Sequence, residues 1–145
     1  MEYFMEWDDS LNTGIATIDQ QHRGIVDFIN KLHASAIKED RETVENVLTE
    51  LTSYTNSHFT YEEQLLHQHE YPLLSAHKRA HDNFVIRLEE YKKRHNNGEN
   101  IAHELSGELV IWLTNHIKHE DQDYVPYCKK KGVKGLLGSM VNKFK

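Results

Sequence analysis

The chain predicts an all-α protein, an up-down-up-down antiparallel four-helix bundle with an N-terminal arm and a short C-terminal extension. Three observations predict it. Four segments of roughly 20–30 residues carry apolar positions in alternating steps of four and three, the signature of one buried helical face. None of the four shows the period-2 alternation of a half-buried strand. Chain breakers are few and stand between the segments, so the connections are short and neighbouring helices run antiparallel.

Each element follows in order. Gly14 ends an N-terminal arm of about residues 1–17. The first stripe reads Ile18, His22, Ile25, Ile29, Leu32, Ala36. Lys38-Glu39-Asp40-Arg41 is a polar break. The second stripe reads Val44, Val47 or Leu48, Leu51, Tyr54, His58, Glu62, Leu65; the Thr and Ser residues of 49–60 lower its intrinsic propensity but leave the spacing intact. Tyr71-Pro72 breaks next, because the residue before proline disfavours helix. Leu74, His77, His81, Phe84, Leu88 and Tyr91 form the third stripe, and Asn96-Asn97-Gly98 closes it. Leu105, Leu109, Trp112 and His116 form the fourth. Pro126, then Gly132, Gly135 and Gly138, mark the end. The domain is expected over 1–127, with 128–145 a basic extension that reads as a solvated end or a short helix.

Composition narrows the class. The chain has 145 residues, enough for one domain with a real core. Its single cysteine, Cys128, excludes an intramolecular disulfide framework and a cysteine-based zinc site. No apolar run approaches the ~18 residues of a membrane span, so stable membrane insertion is not expected. The acidic start lacks the basic and apolar regions of a signal peptide, which makes a cytoplasmic location the expectation. A net charge of −6 argues against nucleic acid as a partner. That charge is uneven: six lysines against Asp123 give residues 122–145 a net +5. An acidic partner for this tail is the alternative to plain solvation.

Eleven of the residues are histidine, and their placement carries the chemistry. Each apolar stripe is interrupted by a histidine. Residues four apart on a helix are neighbours, so His58/Glu62 and His77/His81 each aim two side chains at one point. A lone HxxxH pair is weak, since roughly one is expected by chance in a chain this rich in histidine. Four seams together are not. A buried glutamate among imidazoles needs a partner or a metal. Imidazole with carboxylate suits iron, zinc or manganese, and there are too many donors for one tetrahedral zinc. ExxH, the step of ferritin-like di-iron carboxylate bundles, is absent, as is HExxH. His33, His67, His69, His95, His103 and His119 fall off the seams or near helix ends; His67 and His69, two apart, do not share a face.

This pattern resembles the hemerythrin family, in its single-domain bacterial form. The resemblance rests on His22, His58/Glu62, His77/His81 and His116 with Asp121, flanked by Trp7, Gly14-Ile15, Ile18-Asp19, Gln21-His22, His58-Phe59, Trp112-Leu113 and His116-Ile117. It covers about residues 7–127. Spacing alone selects Glu120, i+4 from His116, as the last ligand; the resemblance selects Asp121, at i+5. Either a bridging carboxylate need not point along the same ray as its neighbouring histidine, or a π-bulge closes the extra residue.

The resemblance implies two iron ions joined by an oxo or hydroxo bridge. In it His77, His81 and His116 hold one iron, His22 and His58 the other, and Glu62 and Asp121 bridge. One coordination position then remains open, for dioxygen. Ile25, Phe59, Trp112, Leu113 and Ile117 match the family's oxygen pocket, with ordinary core packing as the alternative for each. Tyr124, one turn beyond Asp121, is placed to support a ligand, with a packing role as the alternative. The implied function is reversible oxygen binding for storage, delivery or scavenging, without catalytic residues. The alternatives are a di-iron oxidase, peroxidase or nitric-oxide-handling enzyme, or an oxygen-sensing interaction module. Oligomeric state is left open.

Overall fold

A computed structural model describes residues 4–38 and 40–128. The arm makes a short 3-10 turn at Asp9–Leu11. Four helices follow: α1 (Ala16–Lys38), α2 (Arg41–Gln68), α3 (Leu74–Asn96) and α4 (Ala102–Asn115). α4 runs without a break into a π-helical segment, His116–Asp121, and then into α5 (Gln122–Cys128). There is no strand among the described residues. α1 packs on α2 and α4, and α2 packs on α3, which is the expected up-down-up-down order.

Local chemistry explains the boundaries. Gly14 adopts φ 85°, a left-handed turn open to glycine. Just after it, the Asp19 carboxylate accepts from the Thr13 N–H (2.7 Å), the Thr13 hydroxyl (2.8 Å) and the Gly14 N–H (3.1 Å). The arm is thereby tied to the first turn of α1. Asp40 caps α2, accepting from the Thr43 N–H and hydroxyl. In the polar stretch of α2, Thr49, Thr52, Thr55 and Thr60 each return their hydroxyl to the carbonyl four residues back, which satisfies these polar groups within the helix. Gly98, at φ 97°, ends α3.

Pro126 differs from expectation. It lies inside α5 rather than ending it. A proline removes one N–H, yet the described chain stays helical through Cys128, which is buried in the same cluster as Tyr124. The rest of the basic extension, 129–145, lies outside the described residues.

Two apolar clusters form the core. The larger contains Ile25, Ile29, Leu32, Leu51, Phe59, Phe84, Leu88, Leu109, Leu113 and Ile117. The smaller contains Ile15, Ile18, Leu65, Leu66, Tyr71, Tyr124 and Cys128. The histidines lie between them along the seams: His22 sits between Ile18 and Ile25, and Glu62 between Phe59 and Leu65. This layer lies near the start of α1, the end of α2, the start of α3 and the end of α4, which antiparallel packing brings to one end of the bundle. No described helix is long and apolar enough to cross a membrane.

Candidate metal centre

The bundle brings seven side chains to this layer. α1 supplies His22, α2 His58 and Glu62, α3 His77 and His81, and the π-helical segment His116 and Asp121. All seven are 0–4 % exposed. Asp121 reaches the layer because of the π-helix. Five residues from His116 would be about 140° away around an α-helix; a wider i→i+5 turn closes that angle. The Gln122 N–H accordingly bonds the Ile117 carbonyl, five residues back. Glu120 goes elsewhere: it meets the outward Nδ1 of His116. The spacing rule put Glu120 beside His116 correctly, but on the nitrogen facing away from the cluster.

The two buried carboxylates divide the layer in the same way. Glu62 Oε1 faces three imidazole Nε2 atoms, of His77 (2.5 Å), His81 (3.0 Å) and His116 (3.9 Å). Its Oε2 faces His58 Nε2 (3.7 Å) and accepts from the Tyr124 hydroxyl (2.9 Å). Asp121 Oδ1 faces His116 (3.1 Å) and His77 (3.3 Å), while its Oδ2 faces His22 (3.0 Å). Each carboxylate therefore gives one oxygen to a three-histidine half and the other to a two-histidine half. Donor atoms of Glu62, His77, His81 and His116 lie mutually within 4.8 Å, as do those of His22, His58 and Glu62.

The donor set fits metal ions. Nε2 of His22, His58, His81 and His116 and both oxygens of Asp121 are buried without a properly directed hydrogen bond. Unpaired polar atoms in a core are costly, and this many converging on two points is explained by cations that the lone pairs would coordinate.

Three outer groups meet the Nδ1 atoms of cluster histidines, and of these only Glu120 was expected beside its partner, as a ligand. Gln21 Oε1 sits 2.6 Å from His58 Nδ1, Glu63 Oε2 sits 2.8 Å from His81 Nδ1, and Glu120 meets His116 Nδ1. Each is next in sequence to a cluster residue. Nothing local shows that Gln21 of α1 serves a histidine of α2; only the packing does. Gly24 allows a close approach here: an added Cβ would stand 2.1 Å from the Tyr54 hydroxyl, which donates to the Gln21 carbonyl (3.0 Å).

Electrostatics differ around the layer. Burial lowers His58 to about 4, against the pull of Glu62. Burial also opposes charge on His77, but the Asp121 and Glu62 carboxylates that its Nε2–H faces outweigh it and raise the group to about 9. His116 is likewise raised well above its ordinary value, Asp121 overcoming burial. Burial would raise Glu62, yet the imidazoles of His116, His77 and His81 that it faces hold it well below the usual carboxylate range. Tyr124 is pushed well up, by burial and then by Glu62 and Asp121, so it is a neutral donor to Glu62.

The pocket residues of the sequence reading fall in two sets. Phe59 stacks on His81 (3.9 Å, 8°) and Trp112 on His116 (4.7 Å, 12°). Ile25, Leu113 and Ile117 are buried in the larger apolar cluster. None of the remaining six histidines joins the metal-compatible groups of the described residues. His33 stacks on Phe4 (4.0 Å); His69 and His95 are buried apart from the layer.

Comparison with known proteins gives a consistent picture. The family described as hemerythrin HHE cation binding domain matches residues 13–128. A bacteriohemerythrin of Stenotrophomonas maltophilia is 45% identical over 123 residues, covering 85% of this chain and 80% of that protein. One of Pseudomonas aeruginosa is 44% identical over 119 residues, covering 82% and 78%. Among solved structures, a wild-type hemerythrin crystal structure superposes with a TM-score of 0.82 at 29% identity, covering 88% of this chain and 99% of that one.

Proposed function

The chain belongs to the hemerythrin family, and from that premise we propose that it binds dioxygen reversibly at a non-haem di-iron centre. One observation carries the reading: both buried carboxylates are shared between a three-histidine and a two-histidine half. When bound, the two irons would supply the electrons and the open coordination position that dioxygen requires. The chain's residues do the rest. His77, His81 and His116, with Glu62 Oε1 and Asp121 Oδ1, offer five donors to one ion. His22 and His58, with Glu62 Oε2 and Asp121 Oδ2, offer four to the other. The half that is one donor short is where a small ligand has room.

Tyr124 holds Glu62 in its shared position through the 2.9 Å hydrogen bond. Ile25, Leu113 and Ile117 keep bulk water from the layer, and Phe59 and Trp112 hold two imidazole planes. A dry, apolar surround favours binding over turnover. Storage, delivery and scavenging all use this chemistry.

The test is a visible spectrum of the protein made in iron-replete cells, recorded without oxygen, in air, and again after deoxygenation. An oxygen-dependent band that reverses is expected. A colourless two-zinc protein, or an oxidation that does not reverse and turns over with added reductant, overturns the proposal.

A further inference from the structure

The two halves of the layer are unequal beyond their donor count. On the three-histidine side two outer imidazole nitrogens meet carboxylates: His81 Nδ1 meets Glu63 (2.8 Å) and His116 Nδ1 meets Glu120. On the two-histidine side His58 Nδ1 meets the neutral amide of Gln21, and His22 Nδ1 has no partner. An imidazole that donates its outer N–H to a carboxylate becomes the stronger electron donor through its other nitrogen, and is fixed in orientation. Ring contacts run the same way. Phe59 and Trp112 lie nearly parallel to His81 and His116, whereas His22 and His58 meet edge to face (4.9 Å, 72°) and His58 meets Phe59 at a more distant, tilted contact (5.8 Å, 50°). Donor number, donor strength and rigidity all favour the same half.

We infer that Glu63 and Glu120 are positioning residues that order metal loading, so that a divalent cation fills the His77/His81/His116 half first and the His22/His58 half second. This rests on the layer being a two-metal site. It adds that the half left with room for a ligand is also the half that holds its metal more weakly.

Metal-free full-length protein titrated with Zn²⁺ alone tests this, followed by the imidazole ¹⁵N signals. At one equivalent, His77, His81 and His116 are expected to shift, with His22 and His58 following at the second. Glu63→Gln and Glu120→Gln each preserve shape and remove a charge. Each is expected to weaken the first step by about 10–100-fold and leave the second unchanged. Gln21→Glu adds a carboxylate behind His58 and is expected to tighten the second step. All five histidines shifting together, or a first step indifferent to both Glu→Gln changes, overturns the ordering. If either of those variants fails to fold, Gln21→Glu decides: an unchanged second step overturns it. The outcomes separate from those of the oxygen test. Ordered zinc loading in a protein whose iron form shows no reversible band sinks the oxygen reading alone. Simultaneous loading in a protein that does bind oxygen sinks only the ordering.

Discussion

Glu120 and Asp121 stand side by side and meet His116 on different nitrogens. Asp121 is fully buried against Nε2, while Glu120 is partly exposed against Nδ1. Their substitutions should differ in kind. Asp121→Ala removes a donor from both halves and is expected to abolish retention of a second metal through gel filtration. Glu120→Ala is expected to keep two metals and lose about 10–100-fold in affinity. Metal analysis of both checks this; emptying by Glu120→Ala alone would reverse the assignment. Leu113 is fully buried within one turn of His116. Leu113→Asn is expected to raise the autoxidation rate of the oxygenated iron protein severalfold, by bringing a polar group and water toward the site; an unchanged rate removes Leu113 from the barrier. Protonation gives a third prediction, for the metal-free protein. His77 is raised to about 9, so its contribution is full below the unfolded value near 6.5 and is lost as pH rises through 9. His58 is lowered to about 4, so stability is lost as pH falls from 6.5 toward 4. Thermal unfolding should therefore show a maximum near pH 6.5, and its disappearance in the two-metal form, whose imidazoles are held deprotonated.

Among the elements, the π-helical segment decides the site. Its extra residue turns an i+5 aspartate onto the face that i+4 occupies in an α-helix, and carries Tyr124 round to Glu62. Deleting Lys118, an exposed member of the segment, returns the stretch to α-helical count without moving Asp121 from that face. The deletion is expected to retain two metals and to show the loss of the i→i+5 bond to the Ile117 carbonyl. Loss of metal would mean that the wider turn itself, not the face it presents, is required. The helix face of α2 illustrates the reverse situation. Its apolar and ligand positions were legible from spacing alone, because an α-helix keeps one register from Val44 through His58 and Glu62 to Leu65, and its threonines satisfy their own hydroxyls.

Across the whole molecule, a layer of buried imidazoles and carboxylates separates two apolar clusters. Without metal, that layer keeps several polar atoms unpaired, so the bundle should gain stability on loading. At a free metal concentration a hundredfold above Kd the gain is about 2.7 kcal/mol, or roughly 5–10 °C in Tm at ~2–4 °C per kcal/mol for a domain of this size. Calorimetry before and after chelation checks this, and a Tm that ignores the chelator contradicts it.

The helices, their antiparallel order and the seam histidines were legible in the amino-acid pattern, because they follow from local periodicity and from the cost of burying ionisable groups. Tertiary structure decided what periodicity could not. The choice of Asp121 over Glu120 needed a change of helical pitch, which no spacing rule reports. The outer roles of Gln21 and Glu63 needed contacts between helices. The division of Glu62 and Asp121 between two halves arose only when four helix ends met, since a carboxylate acquires two different sides only from what is packed around it.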